Sequence, residues 1–184
     1  MEILETRRLF LRPFTEADAD DVYDYARHPE VGPRCGWPVH QSRKDSLMVI
    51  TEFFMPKNNE RSYAIEERTS GKVIGSASIK SMVDLCLNIS IPRFELGYAI
   101  HPHWWGRDLA AEASICLVND FFDKKYAKTL YCAHVDFNVQ SKRVIEKLGF
   151  LPVGQWEEYA PLLGKTHAYY IYKMTSQGWF QELT

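Results

Sequence analysis

The hydrophobic pattern changes period several times along the 184 residues. In Thr6–Phe14, TRRLFLRPF, Leu9 and Leu11 share one side with Arg8 and Arg12 among the alternates, a period of two that predicts a strand ending near Pro13. Ala19, Val22, Tyr23 and Ala26 then fall at helical spacing. Thr15 and Asp18 stand three apart as a cap for that helix, and Pro29 ends it. Residues 30–40, EVGPRCGWPVH, hold two glycines and two prolines and predict a turn-rich connection in which Trp37 either plugs the core or lines a cleft. Ser42 and Asp45 open a second helix with Leu47, Ile50, Phe53 and Phe54 on its apolar face and Pro56 beyond its end.

Ser62–Glu66 and Val73–Ile79 read as the arms of a hairpin turning through RTSGK at Gly71. Residues 82–92, MVDLCLNISIP, are less regular. In FELGYAI, residues 94–100, Phe94, Leu96, Tyr98 and Ile100 occupy one face of a strand, and Gly97 and Ala99 leave the other thin enough for a ligand or a second backbone to approach. A strong helical pattern starts near Leu109, TLYCAHV at 129–135 predicts a strand, and DFNVQSKRVIEKLGF predicts a short helix stopped by Gly149. Ala168–Met174 is a tyrosine-rich strand. The order of elements predicts one α+β sheet domain over residues 1–184, with 175–184 as a C-terminal tail.

Composition narrows the function classes. A net charge of -2 offers nucleic acid or an anionic membrane no global attraction, so activity must come from a local site. No apolar run reaches the roughly 18 residues of a membrane span, and MEILETRRL lacks the order of a secretory signal, which gives a cytoplasmic expectation. Cys35, Cys86, Cys116 and Cys132 are dispersed, without zinc or redox spacing, and read as buried or partly buried free thiols. No His/Asp/Glu spacing proposes a metal.

The chemistry concentrates in HPHWWGRDLAAEA, residues 101–113. A thin strand runs into a turn that opens a helix, and the first N–H groups of a helix, with the positive end of its dipole, form an anion site without needing lysine. From Glu95 to Phe150 the sequence resembles the acetyl-CoA-binding half of the GCN5-related N-acetyltransferase (GNAT) superfamily, in the branch of ribosomal-protein N-terminal acetyltransferases. ELGYAIHPHWWGRDLAAEA resembles that branch's fourth strand, pyrophosphate loop and helix. DFNVQSKRVIEKLGF resembles its second signature, and TRRLFLRPFTEADAD extends the likeness over most of the chain.

The resemblance implies a mixed, mostly antiparallel sheet flanked by helices, with fourth and fifth strands splayed to admit the pantetheine arm of acetyl-CoA. Ile100 would meet the pantetheine, and Trp105, Gly106, Arg107, Asp108, Leu109 and Ala110 would wrap the pyrophosphate. Asp108 stands where the family carries glycine. Aspartate tolerates a left-handed backbone, and its charge is harmless if it turns outward or pairs with Arg107. Asn138 would orient the next turn and hold a cofactor amide, or simply start a helix. Lys142 and Arg143 would reach the phosphate or adenine side, or form a solvated helix face.

The implied reaction moves an acetyl group from a thioester to an amine. A backbone N–H of Ile100 or His101 would meet the oxyanion, and Ser141 would protonate the departing thiolate unless it is an N-cap. Glu95 is the first candidate base, with Glu66, Glu67 and His101 as rivals, and His134 lines the substrate slot or is a satisfied sheet histidine. The acceptor is a protein or peptide N-terminus, possibly ribosomal, or alternatively a small amine. A non-catalytic coenzyme A-binding or interaction module is the non-enzyme alternative. Neither a membrane partner nor direct nucleic-acid binding is expected.

Overall fold

The computed structural model describes residues 1–55, 61–84 and 89–182. Eight strands form one sheet in the order β1-β2-β3-β4-β5-β6-β8-β7: β1 (Leu4–Glu5), β2 (Leu9–Pro13), β3 (Arg61–Glu67), β4 (Val73–Asp84), β5 (Ile89–Ile100), β6 (Thr129–Val135), β7 (Leu151–Ala160) and β8 (Lys165–Thr175). Every pairing is antiparallel except β5 with β6. Because the two-residue β1 comes first, the splayed fourth and fifth strands of the sequence reading are β5 and β6. They pair at one position, Glu95 with Tyr131, and diverge beyond it.

Alternation along the strands divides the core. Leu9, Leu11, Tyr63, Ile65, Leu96 and Ile100 pack under α3 (Leu109–Asp123), whose Leu117, Val118 and Phe121 are buried with them. Their sequence neighbours Ala64 and Ala99 face the other way, against Val22, Tyr25 and Ala26 of α1 (Ala19–Ala26). The period-two pattern thus becomes two apolar layers, one on each side of the sheet.

The caps form as spaced: Asp18 accepts the Thr15 N–H at 2.8 Å, and Ser42 and Asp45 bond reciprocally at the start of α2 (Arg43–Val49). Besides strand β7, which the pattern did not predict, three details depart from the sequence reading. Ile50–Phe54 is a π-helical turn, closed by Met55 N–H to Ile50 C=O at 2.9 Å, and the extra residue in it rotates Phe53 out to 58% exposure. The described parts of 82–92 are strand, in β4 and β5. Residues 176–182 form α5 (Ser176–Glu182), whose Trp179 is buried against Phe122 and donates to Asn119 Oδ1 at 2.7 Å. Pro56 and Cys86 lie outside the described residues.

Candidate active site

The thin strand and the helix behind it create the site. His101 N–H donates to Ile74 C=O at 2.8 Å, so His101 and, by alternation, Ala99 and Gly97 turn their backbone polar groups toward β4. Leu96, Tyr98 and Ile100 turn theirs into the gap between β5 and β6. Contacts confirm the direction: Cys132 Sγ lies 3.3 Å from Leu96 O, Cys35 Sγ 3.8 Å from Tyr98 O, and the Trp105 indole donates to Ile100 O at 2.7 Å. His101 is therefore already bonded and does not supply an oxyanion donor. The N–H groups of Tyr98 and Ile100 do face the gap.

Gly75 holds this arrangement from behind. A Cβ there would stand 2.1 Å from Ala99 O, so only glycine lets β4 press this closely on the end of β5. A cleft of about 600 Å³ runs through the opening. On the α3 side it is lined by Trp104, Trp105, Gly106, Asp108, Leu109 and Ala110, together with Ser141 and Arg143 of α4 (Val139–Lys147). Glu95, Gly97, Ala133 and Tyr169 line it on the opposite face, with Trp156 and residues of the 30–36 turn.

Asp108 is the N-cap of α3, at φ 58°, the left-handed conformation that its short polar side chain tolerates. Its carboxylate meets Lys147 Nζ of α4 at 2.8 Å, and that ammonium holds the carboxyl below its ordinary range. Arg107, the partner considered from sequence, instead covers the Trp104 ring at 4.8 Å and does not line the cleft. The α3 N-terminus thus presents its first N–H groups beside a neutralised aspartate.

Asn138 caps α4, accepting the Ser141 N–H at 3.2 Å and donating to Arg34 O at 3.2 Å. Ser141 is consequently not the cap; it is the third residue of the helix and lines the cleft. Tyr98 reaches it from β5, with the phenol oxygen 3.0 Å from Ser141 Oγ and 3.1 Å from Ser141 O. Burial pushes that phenol well above its usual range. From sequence, Tyr98 was only one member of an apolar face; its contact with Ser141 has no signal in strand periodicity.

Glu95 lines the cleft, with Arg93 Nη2 3.6 Å from its carboxylate. Its rivals are engaged elsewhere. Glu66 pairs with Arg12 at 2.5 Å, and Glu67 caps the β3–β4 turn through Thr69 and Ser70, which hold its carboxyl down to about 2. His134 is a satisfied sheet histidine: Nδ1 donates to Val135 O at 2.9 Å, which leaves Nε2 to accept from Tyr172 at 3.1 Å. Burial raises both cleft thiols, Cys35 to about 12 and Cys132 further, so neither is poised as a thiolate nucleophile. As a whole residue Cys35 is exposed, not buried as the composition suggested.

A family model described as an acetyltransferase (GNAT) domain matches residues 8–151, spanning the strand, the cap turn and the Asn138–Ser141 helix. The chain belongs to the GNAT family. The curated protein "Uncharacterized N-acetyltransferase YoaA" of Bacillus subtilis is 26% identical over 159 residues, 85% of this chain and 87% of that protein. The crystal structure of a GNAT acetyltransferase from Bacillus anthracis superposes with a TM-score of 0.81 at 17% identity, covering 96% of this chain and 99% of that one. A ribosomal-protein-S5-alanine acetyltransferase from Vibrio fischeri superposes at 0.77 and 16% identity, with coverage of 97% and 99%.

As a GNAT enzyme the protein is an acetyl-CoA-dependent acyltransferase, and its residues fit that cosubstrate. The fifteen-residue α3 opens on the cleft, Gly106 at φ 74° has open space where a Cβ would stand, and the gap-facing edge of β5 is unzipped from β6. Among the described residues no group of three or more histidines, cysteines or carboxylates could hold a metal ion, and no helix is long and apolar enough to cross a membrane.

Proposed function

We propose that this GNAT enzyme acetylates the free amine of a protein or peptide N-terminus by direct attack, with both substrates bound together in the cleft, in the cytoplasm. The observation that carries the reading is the single β5–β6 ladder pair, Glu95 with Tyr131, beyond which a cleft opens between α3 and the opposite face. Acetyl-CoA, when bound, supplies an activated thioester carbonyl. Gly106 to Ala110 hold the diphosphate with backbone N–H groups, Arg143 adds charge beside them, and Ile100 offers a gap-facing N–H to the pantetheine or the acyl oxygen. Ser141 Oγ supplies the proton that the departing thiol needs. Glu95, on the opposite face, takes the proton that the attacking amine must lose.

The acceptor side supports a chain end: its walls are the 30–36 turn and the exposed β7–β8 hairpin, and the superposable Vibrio fischeri structure is titled a ribosomal-protein acetyltransferase. One feature favours a small amine instead. Trp156 and Tyr169 stack at 5.3 Å with planes 15° apart, and Glu158 Oε2 accepts from the Trp156 indole at 3.1 Å, which sets a flat ring surface beside a carboxylate. Mass spectrometry of a mixed panel of peptides and small amines incubated with acetyl-CoA tests the choice. Acetylated peptide N-termini support the first reading, and label confined to small amines refutes it.

A further inference from the structure

We infer that the acceptor carries a second positive charge close to the amine that is acetylated, and that Trp156, Tyr169 and Glu158 form the subsite that holds it. The inference deepens the acyl-transfer reading above and rests on it. Trp156 of β7 and Tyr169 of β8 are cross-strand partners, and both line the acceptor side of the cleft. Their rings already stack at 5.3 Å with planes 15° apart, so little order has to be imposed on them when a ligand arrives. Gly97 and Ala133, which line the same side, are small and leave room for a chain to lie beside the ring wall.

A stacked ring pair accepts a neutral ring or a cation, and the charges around it decide between them. Glu158 Oε2 accepts from the Trp156 indole at 3.1 Å, and among the described residues no cation pairs with that carboxylate. An indole N–H given to a carboxylate leaves the ring richer in π density, the property that attracts a cation. Burial and the negative charges of Glu158 and Asp136 hold the Tyr169 phenol above its ordinary value, so the second ring lies in the same field. The arginines on this side of the cleft do not cancel it, because Arg34 lies 3.3 Å from Glu30 and Arg93 3.6 Å from Glu95. A neutral ring would gain nothing from Glu158, whereas an ammonium or guanidinium meets a π face and a carboxylate together. The amine that attacks the thioester must be neutral, so a site built for a cation serves a different group of the acceptor. That group has two sources: a lysine or arginine near the start of a peptide, or the far end of a small diamine.

The test compares kcat/KM of matched acceptors by mass spectrometry at low and high salt. Peptides with a free N-terminal alanine carry arginine, its neutral isostere citrulline, or phenylalanine at the second or third position; diaminobutane and aminobutanol form the small-molecule pair. The charged member should exceed its neutral isostere about tenfold, and the advantage should shrink as salt rises. Trp156→Leu and Glu158→Gln should each bring the ratio to within about threefold of one. Glu158 is exposed, and glutamine keeps an acceptor for the indole, so that variant removes the charge without burdening folding. An advantage in the peptide series supports both the inference and the peptide acceptor, whereas one confined to the small amines keeps the inference and removes the peptide acceptor. Equal rates within each pair, phenylalanine preferred to arginine, or a ratio that survives both substitutions overturns the inference and leaves the acyl-transfer reading standing. Transfer to none of these acceptors removes that reading and the inference together.

Discussion

Ser141 owes its place to its neighbour. Asn138 takes the cap, which leaves Ser141 as the third residue of α4, lining the cleft. Ser141→Ala should therefore lower kcat by about 10²-fold or more while coenzyme A affinity, read by calorimetry, stays within about threefold. Equal losses in both would assign the residue to the cosubstrate site. At Asp108 the outcome turns on Lys147. Because the carboxylate is paired on α4, Asp108→Gly should leave coenzyme A affinity nearly unchanged, whereas Lys147→Ala should weaken it by about threefold and flatten its loss with salt. Adding Asp108→Asn to Lys147→Ala should restore it. That Asp108 would adopt a left-handed backbone was legible in the sequence, since few side chains tolerate it. That Lys147 would neutralise it was not, because the pair joins two helices 39 residues apart in a way no local period encodes.

Among the elements, β5 does most to make the site, and its face pattern was readable: Gly97 and Ala99 announced a thin face, and that face lines the cleft. The need for Gly75 on the neighbouring strand was not readable, because it arises from how closely two backbones approach. Gly75→Ala should push β5 away from β4, weakening coenzyme A binding together with thermal stability. A variant that keeps both would show that the strands relax without cost. The β3–β4 turn offers a pH test. Glu67 falls from an ordinary 4.5 to about 2 because backbone and hydroxyl donors of Thr69 and Ser70 favour its charged form. A depressed folded value means that its contribution is complete above about pH 4.5 and is lost as pH falls through about 2. Thermal midpoints measured across that window should drop less steeply for Glu67→Gln than for the parent protein. Strand β7 escaped the sequence reading for a physical reason: as an edge strand exposed almost throughout, LPVGQWEEYA shows no alternation of burial to betray it.

For the molecule as a whole, the C-terminal helix closes the core instead of trailing from it. Trp179→Ala should cost about 3–5 kcal/mol, seen as a lower urea midpoint at unchanged slope. Fold class was legible because strand and helix periods succeed each other in an order that few sheets satisfy. The two-sided cleft was not, because its walls come from turns distant in sequence. Arg34 joins them. Its guanidinium lies 5.7 Å from the Trp105 ring and 5.9 Å from that of Phe137, it donates to Gln140 Oε1 at 3.0 Å, and its carbonyl accepts from Asn138. One residue of the acceptor-side turn thus braces both the cosubstrate turn and the start of the serine helix. If acetyl-CoA shifts Arg34 and so changes acceptor affinity by some factor, thermodynamic reciprocity requires the acceptor to change acetyl-CoA affinity by the same factor, and titrating each ligand in the presence of the other reads both.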